Sequence, residues 1–514
     1  LLIGHNIPFD FRILKGFAEM KRRHFKIIKL ISAGTRNIWI FRNGTKTISV
    51  LDNMNFFSGT LEHLGHSIGL EKKEMPDADD FALMDYCRRD VEIMVKAWGM
   101  FFEFLKSNNL GHFCKTIAGQ ALTAFRHRFY KDNIFIHNSE KAIMYERAGY
   151  HGGRTECFKI GKMPKQNYYL LDVNSMYPAV MRSFQLPCKF IKVFNVISET
   201  EIKRLLKKYC LIAHVDIETK ENIFPVKIKE KLVFPTGKFD SVLTTREIEY
   251  GIKHGLIKKY NKVFVYEKAL LFKEYVDFFY LKKTHYKNIG NDAFSYLCKL
   301  FLNSLYGRFG MRLEQWKETD SGLLKENGIE TYMDADNNYN EITERRINDK
   351  SEITTTQKFE GYETFVAIPA HITADARMKL WDIIKMAGKE NVYYCDTDSI
   401  ITNARGYKKC FPLIGKGIGQ LSLKEKSKHL EIYGCKDYVF GETETIKGIK
   451  KNAKRISENE FLQTRFEGFA GALRNKRVNQ VFISPLHKTL KRIYKKGNVA
   501  GHDITPFCIG IDKK

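Results

Sequence analysis

The chain has 514 residues, 44% of them hydrophobic, with 85 basic and 59 acidic side chains for a net charge of +26. That length allows about three domains, and the apolar content excludes wholesale disorder. The basic excess runs along the whole chain rather than in one tail, which favours nucleic acid over a membrane surface or a polyanionic substrate.

No run of ~18 apolar residues occurs, so neither a membrane span nor a membrane partner is expected. The ten cysteines are scattered without C-x-x-C spacing. This argues against zinc ribbons and a disulfide framework and fits a reducing compartment. The chain opens at Leu1-Leu2-Ile3-Gly4, with no initiator Met and no signal peptide. That opening reads as the end of a strand, and the expectation is a truncated gene or a fragment.

In chain order, residues 1–110 alternate short apolar strands (38–41 and 48–51) with helical patterns (11–20 and 81–105), an α/β layer. A basic, aromatic stretch ends at Tyr150-His151-Gly152-Gly153-Arg154. A strand over 168–173 runs into Asn174-Ser175-Met176-Tyr177-Pro178. Residues 186–260 read as β-rich, and 272–310 as one long helical region. Residues 311–357 are polar and Asn/Asp-rich (334–338), which predicts an exposed insertion or mobile loop. A helix near 370–386 precedes Tyr393-Tyr394-Cys395-Asp396-Thr397-Asp398-Ser399-Ile400-Ile401.

That last segment carries the most chemistry. Apolar residues on both sides predict a buried strand or hairpin, and carboxylates at i and i+2 of a strand point the same way. Two buried like charges need a cation, and a divalent metal is the usual one for oxygen ligands. A hairpin turn built from Asp-Thr-Asp-Ser is the bland alternative. Asp172, at the end of its strand, supplies a third carboxylate for a metal pair of the kind that serves in-line phosphoryl transfer. On a helical wheel Lys299, Asn303, Tyr306 and Gly310 share one face, offering a cation, an amide and an aromatic ring. Lys287, about three turns earlier, is expected to reach the same phosphates.

Together Asp172-x-x-Ser175-Met176-Tyr177-Pro178, Lys299-x-x-x-Asn303-Ser304-x-Tyr306-Gly307 and Tyr394-x-Asp396-Thr397-Asp398-Ser399 resemble motifs A, B and C of family B DNA polymerases. Tyr150-His151-Gly152-Gly153 and Lys436-Asp437-Tyr438 are similar to two further motifs of the protein-primed branch of phages and linear plasmids. The stretches 186–250 and 311–357 stand where that branch carries two insertions.

The resemblance implies roles. Asp172 and Asp398 would hold two Mg²⁺ ions (Mn²⁺ may substitute), with Asp396 beside them and the Val173 main chain as a further ligand. Tyr177 would exclude a ribose 2′-hydroxyl. Lys287 and Lys299 would bind the incoming dNTP, and Asn303, Tyr306 and Gly307 would line the nascent base pair. Lys436, Tyr438, Thr397 and Ser175 would hold the primer, and Tyr150, Gly152 and Gly153 the template.

The N-terminal region resembles a 3′–5′ exonuclease in part. His5-Asn6-x-x-Phe9-Asp10 is similar to its second motif, Tyr86-x-x-x-Asp90 to its third, and Thr60-Leu61-x-x-Leu64 to its single-strand-binding segment, with a Lys at 72–73 as assistant. Asp10 and Asp90 would serve metals, and Tyr86 would position water. The first motif, Asp-x-Glu, has no counterpart before Leu1. Asp216-Ile217-Glu218 is a false lead, explained by alternation on an exposed strand. Little or no proofreading and a frayed exonuclease fold are therefore expected.

The expected architecture is α/β with an α+β palm: a right-hand polymerase fold behind a truncated ribonuclease-H-like domain. Its parts are partial exonuclease (1–145), palm with first insertion (146–270), fingers (271–310), palm with second insertion (311–430) and thumb (431–514). The expected function is template-directed DNA synthesis by a monomer acting on primer-template DNA and dNTPs, with a terminal protein as a further partner and a mitochondrial linear plasmid as the setting. A non-catalytic nucleic-acid-binding relic of a decaying plasmid is the alternative. An enzyme making RNA is a second, against which Tyr177 argues.

Overall fold

The computed structural model describes residues 1–33, 36–77, 80–131, 133–334, 340–355 and 358–510. Its N-terminal sheet has the order β1-β4-β3-β2, from β1 (Leu2–Gly4), β2 (Lys26–Ala33), β3 (Arg36–Asn43) and β4 (Lys46–Asp52). β1 runs parallel to β4, and the other pairs are antiparallel. β3 buries Ile38, Trp39 and Phe41, and Phe11 and Phe17 pack on Trp39 with ring centroids 5.0 Å apart. The same cluster takes in Ile347 of the second insertion and Phe469 and Leu473 near the C-terminus. Buried Arg12 donates to the carbonyls of Gln480 and Glu467, both at 2.7 Å. The N-terminal fold is thus closed around an aromatic core rather than frayed, because residues hundreds of positions away complete it. Helix α1 (Asp80–Ser107) follows, burying Trp98, Phe101 and Phe104.

The central sheet has the order β9-β6-β8-β7-β5, all antiparallel, from β5 (Thr155–Cys157), β6 (Tyr168–Val173), β7 (Val392–Asp396), β8 (Ser399–Asn403) and β9 (Leu421–Ser427). A second five-stranded sheet is built mainly from Leu186–Phe194, Cys210–Thr219, Thr236–Thr244 and Ile257–Ala269. Asp216 and Glu218 lie on its Cys210–Thr219 strand around buried Ile217, in the alternation predicted, although neighbours pair with both sides of that strand.

The long helical region is two helices, not one: α2 (Lys273–Asn288) and α3 (Asp292–Phe309). Gly290 adopts a left-handed φ of 74°, which glycine takes without steric cost. The Asn291 amide bonds back to the Tyr286 carbonyl at 2.9 Å, closing α2, and the Asn291 side chain caps α3 at Phe294. The chain therefore folds back into a helical hairpin.

Residues 311–357 are no loop over their described part. Lys317–Glu318, Lys350–Thr355, Asn340–Ile347 and Gly328–Asp334 form an antiparallel sheet in that order, with buried Glu344 accepting from the amides of Leu323 and Leu324. Residues 335–338 of the Asn/Asp-rich tract lie outside the described residues. Helix α4 (Ala367–Ala387) is almost wholly buried. No helix among the described residues is long and apolar enough to cross a membrane.

Candidate active site

Backbone register brings the three carboxylates together. Asp172, on β6, stands opposite Ser399 of β8 and Ser422 of β9. β7 ends at Asp396, β8 begins at Ser399, and the two pair directly, so Thr397 and Asp398 are the hairpin turn. Asp398 is therefore not on a strand, and the i, i+2 alternation expected for Asp396 and Asp398 does not apply. Thr397 has φ 59°, a strained value for a β-branched residue. It is held there by its amide bond to the Arg154 carbonyl at 2.7 Å. Buried Arg154 is itself fixed by Glu156 at 2.6 Å.

The turn sends the carboxylates to different partners. Asp396 accepts from Thr155 at 3.0 Å, from Thr397 at 3.1 Å and from Lys436 at 2.6 Å. Asp172 lies 3.1 Å from the Lys424 ammonium. Asp398 is half-buried; burial first, and the Asp172 carboxylate next, push it up to about 6. The Val173 amide donates to the Asp398 carbonyl at 2.7 Å, tying β6 to the turn.

Around the carboxylates the Tyr177 and Tyr306 rings stack at 5.1 Å. Burial pushes the Tyr177 hydroxyl up to about 12. A Cβ on Gly153 would stand 2.8 Å from Thr397 Cγ2 and 3.0 Å from the Tyr177 hydroxyl, so only glycine lets that loop approach. Arg377 on α4 donates to the carbonyls of His151 and Gly152 at 3.0 Å and pairs with buried Glu247. Tyr150 faces Gly310. The Lys436 amide donates to the Tyr394 hydroxyl at 2.9 Å, and Tyr438 packs on the Tyr394 ring.

Lys287 does not stand three turns before Lys299 on one helix. The hairpin folds it back beside Lys299, and with Lys283 they line a cavity of about 470 Å³ walled by Phe57, His63 and Tyr296. Burial first, then the charges of Lys299, Lys287 and Lys424, lower the Lys283 pKa. Its ammonium donates to Ser175 Oγ at 3.2 Å. Asn303 is exposed, and Gly307 half-exposed, on α3. Lys283, Lys424 and Arg377 escaped the sequence reading. Lys283 precedes Lys287 by one helical turn, a usable signal; the other two have none.

The N-terminal acidic groups Asp10, Asp52 and Asp90 all act on His5, whose pKa burial lowers and these carboxylates raise. Lys72 pairs with Asp90 at 2.5 Å and lies over the Tyr86 ring at 3.9 Å. Asp10, on the helix Ile7–Ile13, is raised by burial and by Asp52. Asp52, which the sequence did not single out, accepts from the Asn6 amide at 3.1 Å. Phe9 faces Phe466. Thr60 caps the helix Leu61–Ser67, in which Leu61 is buried. A larger cavity of about 810 Å³ joins this domain to the rest, lined by Arg36, Arg147, Arg312 and Arg345 with Tyr150, Trp316 and Phe469.

Among the described residues no three His, Cys, Asp or Glu side chains form a ready metal cluster. The palm donors nonetheless fit a divalent cation in chemistry. They are all oxygen, and Asp398 carries a desolvation and like-charge burden that such a cation relieves.

The overall architecture is that of a right-hand polymerase. Phi29 DNA polymerase in its ternary complex with primer-template DNA and incoming nucleotide superposes with a TM-score of 0.69 at 19% identity, over 95% of this chain and 91% of that one. The sequence matches the family described as DNA polymerase type B, organellar and viral, over residues 5–388, and the chain belongs to that family. A DNA polymerase of Kluyveromyces lactis is 25% identical over 384 residues, 69% of this chain and 37% of its own length. A probable DNA polymerase of Podospora anserina is 28% identical over 68% of this chain and 30% of its own. The DNA-directed DNA polymerase of Enterobacteria phage PRD1 is 30% identical over 57% of this chain and 50% of its own. The aligned stretches thus span between about a third and a half of these relatives' lengths.

Proposed function

We propose that the chain is a template-directed DNA polymerase that extends a primer 3′-hydroxyl with dNTPs. The observation that carries this is Asp398 in the hairpin turn, raised by burial first and by its nearness to Asp172 next, with the charge of Lys299 on the α2–α3 hairpin acting on it. The primer oxygen bonds to the α-phosphorus of the dNTP, and the bond to the leaving pyrophosphate breaks. Asp172 and Asp398, with the Val173 carbonyl, are the groups that would hold Mg²⁺ or Mn²⁺. The chemistry a bound pair supplies is a lowered hydroxyl pKa and a neutralised triphosphate. Asp396, bonded on three sides, fixes the turn. Lys299, Lys287 and Lys283 draw the triphosphate in and offset its charge. The Tyr177–Tyr306 stack forms a floor under sugar and base, too close to admit a 2′-hydroxyl. Lys436 and Tyr438 bring the primer end to the hairpin. Tyr150 and the Gly152-Gly153 loop, held by Arg377, support the template.

The arginine-lined 810 Å³ cavity beside Tyr150 suits a single template strand, since its cations track the backbone. We assign the domain boundaries read from the sequence to this machine. A linear, protein-primed element, organellar or viral, is its proposed setting, with a hydroxyl of a terminal protein as first primer. Proofreading is proposed to be absent from this polypeptide, because Lys72 already occupies the Asp90 carboxylate.

Primer extension with dNTPs and Mg²⁺, wild type beside Asp398→Ala, tests the reading. Extension by wild type alone supports it. Extension by neither, with DNA binding intact, overturns it in favour of the non-catalytic relic.

A further inference from the structure

The palm carries a cation that the proposed mechanism does not use. β9 pairs regularly with β6 through Leu421, Ser422 and Leu423, and then its register slips: Glu425, not Lys424, stands opposite Leu170. Lys424 is the extra residue of a β-bulge. Bulges release one residue from the ladder and re-aim its side chain, often beside active sites. Here the side chain reaches back along the strand to place its ammonium 3.1 Å from the Asp172 carboxylate. Its charge also reaches Lys283, whose ammonium is bonded to Ser175 three residues beyond Asp172.

We infer that Lys424 is the resident counter-cation of Asp172 and competes with divalent metal for that carboxylate, so that it sets the metal affinity of the palm. The inference rests on reading Asp172 and Asp398 as the metal-holding pair. The Lys424 side chain is 48% exposed, so water waits to receive the displaced ammonium. An ion pair of that exposure is worth little, which lets a divalent ion displace it and yet leaves a measurable competition. Lys424 is thus a positioning residue. It holds Asp172 in place and charge-balanced before metal arrives and yields when it does.

The test is Mn²⁺ titration of the full chain, without DNA or nucleotide, with free Mn²⁺ read by electron paramagnetic resonance. Wild type is compared with Lys424→Met, Lys424→Gln, Lys424→Arg and Asp172→Asn, each checked for an unchanged thermal melt. Removing the charge should tighten Mn²⁺ binding roughly two- to fivefold, Lys424→Arg should bind as wild type, and Asp172→Asn should weaken binding. Unchanged or weaker binding in both Lys424→Met and Lys424→Gln, with Asp172→Asn weakened, overturns the competition while leaving the metal reading intact. If, in a separate steady-state single-nucleotide insertion assay, those variants raise the dNTP KM while Mn²⁺ binding stays unchanged, Lys424 is a phosphate contact and the inference falls. Mn²⁺ binding that survives Asp172→Asn unchanged overturns the metal reading itself.

Discussion

The palm and the N-terminal domain use the same ingredients, aspartates with a lysine beside them, and assemble them differently. In the palm, Asp172 and the Asp398 turn are joined by adjacent hydrogen-bonded strands, and burial first, then the Asp172 carboxylate, push Asp398 up to about 6. In the N-terminal domain, Asp10 and Asp90 come from two separate helices; Asp90 is taken by Lys72, and Asp10 shares its field with Asp52. Strand register sets Asp172 and the Asp398 turn side by side at a defined spacing, whereas Asp10, Asp52 and Asp90 reach the neighbourhood of His5 from two helices and a strand end. In both regions a lysine already stands beside one acid, Lys424 at Asp172 and Lys72 at Asp90, while Asp398 and Asp10 keep a like-charge burden.

The harshest way to break the contrast is to remove an acid from each region. Asp172→Ala should lower primer extension at least about a thousandfold with DNA binding retained. A variant within tenfold of wild type would mean that the palm pair is not the reacting centre. Lys299→Ala comes next, lowering kcat/KM for dNTPs by roughly 10- to 100-fold, mostly through KM, in steady-state single-nucleotide insertion. Replacing Tyr177 by Ala opens the floor beside Gly153, and discrimination against ribonucleotides should drop by about tenfold or more, read as the ratio of kcat/KM for dNTP and rNTP.

A smaller effect concerns the support behind the palm. Asp375 is fully buried on α4, and burial holds its carboxyl at about 7. The folded state therefore binds more protons than the unfolded one between about pH 4 and 7, so stability falls as pH rises through that window. Asp375→Asn should gain roughly 2–4 kcal/mol at pH 8 and almost nothing at pH 4, measured by chemical denaturation. An equal gain at both pH values would show that the proton is not the cause. The smallest expected change sharpens the contrast from the other side. Asp10→Ala and Asp90→Ala should leave Mg²⁺-dependent degradation of labelled single-stranded DNA at the wild-type background. Strong wild-type cleavage lost in either variant would restore a nuclease to this domain.

Much of the palm was legible because its chemistry is local in sequence. Asp172, the Asp396–Asp398 turn, Lys299 and Tyr177 each sit in a short stretch whose residue types state their task, and the apolar flanks announce strands. The split of 272–310 into two helices was legible in principle, since Gly290-Asn291 is a stop and a cap, but helical periodicity on both sides masked it. Whether Asp398 ends a strand or sits in a hairpin turn stays open in the sequence, because periodicity carries no sign of where a two-residue turn begins.

Other features depended on distance. Lys424 meets Asp172 across the β6–β9 pairing, beside a one-residue register slip, and nothing in Leu421-Ser422-Leu423-Lys424-Glu425 announces a bulge. Arg377 holds the Gly152 loop across 225 positions. The aromatic core of the N-terminal sheet is closed by Phe469 and Leu473. By itself the sequence determined the family, because side-chain chemistry and short-range spacing encode it. Tertiary structure alone decided which cation faces which carboxylate, because ion pairing and desolvation depend on distances of a few ångströms between segments that the chain does not keep adjacent.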